Sequence, residues 1–309
     1  MQLLRVLFLV AGLVLPISLG AADAPAVETG AVHGSDTNAP APHHGLPPAA
    51  VDLWEGVPIT NSMVVTWAVA LGLIIFARIA TRKIQVVPSG LQNFWEWLVE
   101  SLHDFLEGII GHELVKKTFW FFATIFIFIL FANWLGLIPG VGTIGWGVKT
   151  DHGMHIAQPL LRGANADLNM TLAMAVIFFI CWTVWALQAN GPGGFLLHIF
   201  GPKGETTGVL KVLMILVFIV VGLLEVVSIL FRPVSLSFRL YGNIFAGENM
   251  LESMARLVPG WLGSIIIPIP FYFLEVLVGL VQALVFMLLT AVFTLLICTH
   301  EEGHEKAHH

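Results

Sequence analysis

Long apolar runs are the feature that most restricts what this chain can fold into. Stretches such as 118–138, 166–187 and 268–298 carry almost no charge, and they are far longer than the ~10-residue strands of a membrane barrel. Only 11% of the 309 residues are charged, whereas soluble domains carry about 25%. The sequence therefore predicts an all-α integral membrane protein whose helices cross the bilayer.

The N-terminal stretch 1–24 is typical of a secretory signal peptide. Arg5 precedes an apolar run over 6–19, and small residues follow it. An uncleaved membrane anchor is the alternative, although the apolar run is short for a span. Residues 25–60 are predicted to be a disordered periplasmic segment, because a stretch rich in Ala, Pro, Gly and His cannot build a core. A signal peptide here implies a bacterial inner membrane and a periplasmic N-terminus.

The first predicted span is 62–80. Arg82 and Lys83 follow it, and the positive-inside rule places them in the cytoplasm. Over 89–112, apolar residues recur at helical spacing and acidic residues fill much of the rest. This pattern predicts an amphipathic helix on the cytoplasmic face of the membrane.

Two further spans are predicted at 118–138 and 166–187, the first running outward and the second returning to the cytoplasm. The loop between them, 140–166, should face outward. Residues 190–194 read Asn-Gly-Pro-Gly-Gly, a composition that favours a flexible connection.

The last part of the chain allows two topologies. As one helix, 207–258 would be roughly 75 Å long, against a hydrocarbon core of ~30 Å. It is therefore either two spans separated near Pro233 or one strongly tilted helix. The final run, 268–298, is also long for a vertical span, which favours a tilted hairpin. The two-span topology leaves the C-terminus outside and the hairpin leaves it inside, and the charges of the tail do not decide between them.

Polar residues inside these last two segments form the candidate site. Arg239 is the residue that is most costly to place in the membrane. A guanidinium keeps its proton, and placing it at bilayer depth costs at least ~2.5–3.5 kcal/mol. The candidates are Glu225, Ser235, Arg239, Asn243, Glu248, Glu275 and Gln282.

Helical spacing assigns these residues to faces. At 100° per residue, Ser235, Arg239 and Asn243 form one stripe, and Glu225 lies close to the same face. Glu248 falls on the opposite side of an ideal helix. In the final segment, Glu275 and Gln282 share a face, since they are seven residues apart.

The order along the axis indicates ion movement. Glu225 lies toward the cytoplasmic end, Arg239 near the middle, and Glu248 and Glu275 toward the outside. Such an arrangement is compatible with two aqueous pockets that are separated by a fixed positive charge. The carboxylates in these pockets would relay protons. The structural alternative is that Arg–Glu pairs and the Ser, Asn and Gln side chains hold the helices together.

The most specific motif is Arg232-Pro-Val-Ser-Leu-Ser-Phe-Arg-Leu-Tyr-Gly-Asn-Ile-Phe-Ala-Gly-Glu248. Together with Ala-Asp-Leu-Asn-Met-Thr-Leu at 166–172 and Gln-Ala-Leu-Val-Phe-Met at 282–287, it resembles the a subunit of the F-type ATP synthase. The resemblance covers roughly residues 60–300. It implies about five membrane-crossing helices plus the surface helix, with the last two helices forming a tilted hairpin against the rotating c-ring.

The resemblance also implies roles for single residues. Arg239 would face the c-ring carboxylate, and Gln282 would approach it from the last helix. Glu248 and Asn243 would belong to the outer half-channel, and Glu225 to the cytoplasmic one. In some members of the family, histidine occupies the position of Glu275. Ser235 stays a candidate through its place on the arginine stripe.

The implied protein is a non-catalytic subunit of a proton-translocating complex. Its membrane domain would span 61–300, followed by a charged cytoplasmic tail at 301–309. The implied partners are the c-ring, the subunit b peripheral stalk, the whole F1F0 complex and membrane lipid. No cofactor, metal or nucleic acid is expected, since the sequence has no basic patch and no nucleotide-binding loop.

Two rival functions fit the sequence poorly. A haem or quinone subunit needs axial histidines inside its spans, but the twelve histidines lie in tails, loops, the surface helix or span edges. A secondary transporter is expected to carry internal repeats, and the sequence shows none. Cys181 and Cys298 lie in separate apolar runs, and we interpret them as packing or lipid-facing residues.

Overall fold

The computed structural model describes residues 52–54, 57–138, 145–150, 153–159, 161–200, 209–257 and 265–298. The predicted signal segment, most of the predicted disordered segment and the charged tail lie outside these residues. The described elements are, in chain order, β1 Asp52–Trp54, β2 Val57–Thr60, α1 Asn61–Ala80, α2 Leu91–Ile110, α3 His112–Gly136, β3 Gly145–Thr150, β4 Gly153–Pro159, a 3-10 turn Ala164–Ala166, α4 Leu168–Phe200, α5 Val209–Leu257 and α6 Pro268–Cys298.

Five of the described helices, α1, α3, α4, α5 and α6, are long and apolar enough to cross a membrane. This confirms the all-α membrane architecture. Helix α3 lies at the centre of the bundle, since 67% of its most apolar stretch is buried. Helix α5 lies at the edge, where only 17% of the corresponding stretch is buried and a long face remains uncovered.

Helix α2 is amphipathic, as its sequence pattern predicts. Trp95, Leu102 and Leu106 are buried on one side, where α2 packs against its neighbours α1 and α3. Phe94 and Trp97 remain exposed, which suits a helix that lies on a membrane surface.

Two predicted loops carry secondary structure that the sequence did not indicate. Within 140–166, strands β3 and β4 pair antiparallel, and a 3-10 turn precedes α4. Strands β1 and β2 pair in the same way at the end of the 25–60 stretch. The prediction of disorder therefore does not hold for 52–54 and 57–60.

The connection predicted at 190–194 is a kink instead of a loop. Helical structure continues through it, and only Gly191 departs from helical geometry, with φ 66° and ψ 166°. Glycine takes a positive φ without the steric cost that a Cβ would add. Pro192 follows directly, and proline is well suited to the first position of a new helical segment.

The segment after the kink forms one helix. Helix α5 runs for 49 residues with Pro233 inside it, so the two-span alternative is wrong and the hairpin topology of α5 and α6 is observed. At 1.5 Å per residue such a helix is roughly 73 Å long, which is much more than the ~30 Å hydrocarbon thickness.

Side-chain hydrogen bonds join the helices at both ends of the bundle. At one end, Asn133 Nδ2 donates to the Gly279 carbonyl oxygen over 3.0 Å, which links α3 to α6. At the other end, Asn190 Nδ2 donates to the Ile297 carbonyl oxygen over 2.8 Å, which links α4 to α6. The end that contains Asn133 also holds most of the candidate site.

Asp167 connects α1 to the start of α4. Its buried carboxylate accepts a hydrogen bond from Ser62 Oγ over 2.9 Å and another from the Asn169 backbone N–H over 2.9 Å. The second bond caps the N-terminus of α4, where unpaired N–H groups need acceptors.

We expect Asp167→Ala to lower the free energy of unfolding by about 1–3 kcal/mol, because it removes the cap and leaves Ser62 without its acceptor. The melting temperature of the detergent-solubilised protein measures the loss. Asp104→Ala is the control, since the Asp104 side chain is 74% exposed. Equal melting temperatures for the two variants would contradict the assigned role of Asp167.

Candidate functional site

The predicted arginine stripe lies on the uncovered face of α5. Ser235, Arg239 and Asn243 are all exposed, and their spacing of four residues predicts that they share one face. Large apolar side chains surround the stripe, and Phe231 and Phe238 are 63% and 56% exposed. Arg239 therefore stands in an otherwise apolar surface.

Within the described part of the chain, the Arg239 side chain forms neither an ion pair nor a hydrogen bond. A guanidinium that faces hydrocarbon without a partner is costly. The geometry is therefore suited to a partner surface that brings a negative group to this face of α5.

Asn243 and Gln282 join α5 to α6 beside the stripe. Asn243 Nδ2 donates a hydrogen bond to Gln282 Oε1 over 2.6 Å. Gln282 is only 4% exposed, so the bond fixes a buried amide next to the uncovered face. The sequence predicted both residues as candidates but not their contact.

Glu248 points away from the arginine stripe, as the ideal-helix spacing predicts. Its carboxylate oxygen Oε2 lies 3.4 Å from Arg162 Nη2, and the Arg162 side chain is only 6% exposed. Glu248 also lies close to Gly163, where a Cβ would approach its Oε1 to 3.0 Å. Removing either partner of such a pair is destabilising, because the other charge is then left without compensation in a largely buried place.

Glu275 is 5% exposed and lies on α6, opposite α5. Its carboxyl group occupies the space that a Cβ on Gly247 would need. The absent side chain at Gly247 thus lets an acidic group enter between the two helices.

Glu248 and Glu275 line the same narrow cleft, together with Asn133 and Asn165. Its free volume is about 10 Å³, which is about the room that one water molecule needs. Asn165 Nδ2 donates to Asn133 Oδ1 over 2.6 Å. Asn165 Oδ1 is buried without a hydrogen-bond partner among the described residues. Buried acceptors of this kind are normally satisfied by ordered water, so the cleft is suited to one water molecule beside the two carboxyl groups.

Glu225 lies far from this cleft, toward the other end of α5. It precedes Arg239 by 14 residues, which is roughly 21 Å along the helix axis. Its carboxylate oxygen Oε1 accepts a hydrogen bond from Arg232 Nη2 over 3.0 Å. The candidate carboxylates therefore form two separate groups, with Arg239 between them.

Sequence reasoning missed several residues that complete these groups. Asn133 carried a signal, since it is a polar residue inside an apolar run. In the sequence, Arg232 stands out only as part of the motif. Arg162 and Asn165 lie in the predicted loop 140–166, and nothing in the local pattern indicates their contacts with α3 and α5.

A cluster that could hold a metal ion lies elsewhere in the described structure. His103, Asp104 and Glu107 bring ligand atoms within 4.8 Å of one another on α2. Two of the three are partly buried and Asp104 is exposed. The cluster is separate from the candidate site and its carboxylates.

The comparisons with known proteins agree on one family. Residues 63–294 match the family model described as ATP synthase A chain. The chain is 34% identical to the ATP synthase subunit a of Gloeobacter violaceus over 241 residues, which cover 77% of this chain and 85% of the relative. The subunit of Solidesulfovibrio magneticus is 31% identical, with 78% and 86% covered. The subunit of Campylobacter jejuni is 34% identical, with 76% and 89% covered.

We expect Gly247→Ala to displace the Glu275 carboxyl group, because the new methyl group takes its place. Overpacking of this kind costs about 1–3 kcal/mol of stability. Carbodiimide labelling of Glu275, read by mass spectrometry, should rise in the variant, and the melting temperature should fall.

Gly242→Ala is the matched control on the same helix, since a Cβ there meets nothing within 4 Å. Alanine is also the better helix former, so this variant should not lose stability. Equal labelling of Glu275 in the two variants would contradict the close contact with Gly247.

Proposed function

Because this chain belongs to the ATP synthase A chain family, we propose that it is the proton-translocating stator subunit of the F0 sector. The general role follows from the family. The chain is an integral membrane protein that takes part in ATP synthesis and proton transport. The finer proposal is that two offset half-channels and Arg239 couple proton flow to rotation of the c-ring.

The observation that carries the proposal is the exposed guanidinium of Arg239 on an apolar helix face. A moving acidic group can satisfy such a charge from outside the chain. A ring of c subunits with a carboxylate at the same depth is a partner of this kind. The length of α5 and its uncovered face support the assignment of this surface to the ring.

The outer half-channel is proposed to end at Glu248 and Glu275. Both carboxylates line the cleft whose size is about that of one water molecule. Asn243 belongs to the arginine stripe, and its hydrogen bond to Gln282 joins α5 to α6 there. A proton that enters through the cleft would pass from these acids to a ring carboxylate.

The cytoplasmic half-channel is proposed to begin at Glu225. Its side chain is 46% exposed, so it can exchange protons with water or with a ring subunit. The axial separation from Arg239, roughly 21 Å, keeps this acid away from the outer pair. Ser235 lies on the stripe between Glu225 and Arg239 and offers a hydroxyl to a passing carboxylate.

The proposed cycle needs no covalent chemistry on this chain. A ring carboxylate takes a proton from the outer pocket, becomes neutral and can then cross lipid. After nearly a full rotation it releases the proton at the inner pocket. Arg239 favours the ionised carboxylate at the interface, because an opposite charge nearby stabilises the charged form. Its own charge also opposes direct proton leakage between the pockets.

The energy for rotation comes from the membrane potential. Each elementary charge that crosses 100 mV supplies ~2.3 kcal/mol. The proposed role is non-catalytic, since the chain itself would form no bond to phosphate. The proposed partners are the c-ring, the subunit b stalk and the remaining F1F0 complex in a bacterial inner membrane, with the N-terminus periplasmic and the C-terminus cytoplasmic.

We expect Arg239→Ala to abolish ATP-driven proton pumping in inverted vesicles while the complex still assembles. The reason is that the proposal assigns to Arg239 the positive charge that meets the ring carboxylate on this face. The measurement is the quenching of a pH-sensitive dye after addition of ATP, with co-purification of the complex as the test of assembly.

Arg82→Ala is the control for loss of one arginine, because Arg82 is exposed in the segment after α1. It should pump at the wild-type rate. Normal pumping by Arg239→Ala would refute the stator role that is proposed for this residue.

A further inference from the structure

The structure holds Glu225 in a way that the proposed function does not require. We infer that Arg232 is a positioning residue, which fixes the Glu225 carboxylate at the cytoplasmic proton exit. This inference rests on the role proposed for Glu225 above. It concerns a residue of the motif that neither the arginine stripe nor the outer cleft uses.

Two aromatic rings from neighbouring helices hold the guanidinium of Arg232. Its Cζ lies 4.7 Å from the ring centroid of Phe293 on α6 and 5.8 Å from that of Trp182 on α4. Both distances are within the ~6 Å range of a cation–π contact. Arg232 on α5 therefore lies where three helices meet.

The two aromatic residues are themselves joined. Trp182 Nε1 donates a hydrogen bond to the Phe293 carbonyl oxygen over 3.0 Å. The rings thus belong to a fixed contact between α4 and α6, and the Arg232 side chain is only 21% exposed. We call Trp182, Phe293 and Arg232 the arginine clamp.

The clamp leaves one end of the guanidinium directed at Glu225. Arg232 Nη2 donates to Glu225 Oε1 over 3.0 Å, although seven residues, or two helical turns, separate them. Because Arg232 is held by α4 and α6, the carboxylate is fixed relative to those helices and not only to its own. Its 46% exposure leaves it open to proton exchange.

Arg232 contacts Glu225 by charge as well as by a hydrogen bond. In the described part of the chain, Arg232 is the one cation in ion-pair contact with Glu225. Glu248 is held by Arg162 further along α5, so Glu225 and Glu248 each have an arginine partner.

A double-mutant cycle tests whether Arg232 acts through Glu225. ATP-driven proton pumping is measured in inverted vesicles that carry the whole complex, normalised to the amount of assembled enzyme. The variants are Glu225→Gln, Arg232→Gln and the double variant. Arg82→Gln is the control, since it makes the same change at an exposed arginine outside the site.

We expect Glu225→Gln and Arg232→Gln each to slow pumping about tenfold, the factor that corresponds to loss of one charge-assisted hydrogen bond. The double variant should be no slower than Glu225→Gln alone, because Arg232 then has no carboxylate to position. Arg232→Lys should recover part of the rate, since it keeps the charge but not the planar contact with the rings.

The possible failures are distinguishable. Wild-type pumping by Glu225→Gln would overturn the exit that the proposed function assigns to this acid. A slow Glu225→Gln with a normal Arg232→Gln would overturn only the positioning role. Losses that multiply in the double variant would do the same, because they indicate independent effects.

The arginine clamp can also be tested when the Arg232→Gln complex does not assemble. In that case Phe293→Leu removes one ring of the clamp while Arg232 and Glu225 stay intact. Pumping should then fall in the assembled complex, and it should fall no further when Glu225→Gln is added. An unchanged pumping rate for Phe293→Leu would refute the role of the arginine clamp in positioning Glu225.

Discussion

The charge of Arg239 on the uncovered face of α5 is the constraint on which the functional interpretation depends. A guanidinium at this position cannot lose its proton, and contact with hydrocarbon would be costly. The chain does not neutralise it with any carboxylate among the described residues. The remaining features, an over-long helix, an uncovered face and acids at both ends, are consistent with a partner that brings the missing negative charge.

Two other arginines of the structure, Arg162 and Arg232, differ from Arg239 in their surroundings. Arg162 and Arg232 each pair with a carboxylate of α5, and both are largely buried against neighbouring helices. Each lies within ion-pair distance of its carboxylate, Arg162 of Glu248 and Arg232 of Glu225. Arg239 differs from them because its side chain is exposed and open to a moving partner. Among the described side chains of α5, Glu225 and Glu248 are each held by an arginine, and Arg239 lies between them without an ion pair.

The sequence predicted the parts of this arrangement that depend on local pattern. Apolar runs located the crossing helices, and helical spacing placed Ser235, Arg239 and Asn243 on one face. The sequence could not predict contacts between residues that are far apart in the chain, such as the contact of Arg162 with Glu248. Local composition was misleading at 190–194, where glycine and proline favour a loop but produce a kink. The proposed covering of α5 by the c-ring likewise depends on a partner chain, which this sequence does not contain.

The most direct test of the central claim is a structure of the assembled complex in lipid that resolves side chains. The measured quantity is the distance from the Arg239 guanidinium to the nearest partner carboxylate. We predict that the c-ring covers the exposed face of α5 and that one of its carboxylates comes within about 4 Å, the reach of an ion pair, in at least one rotary position. Lipid or an apolar helix against Arg239, with the ring on another face, would contradict the account.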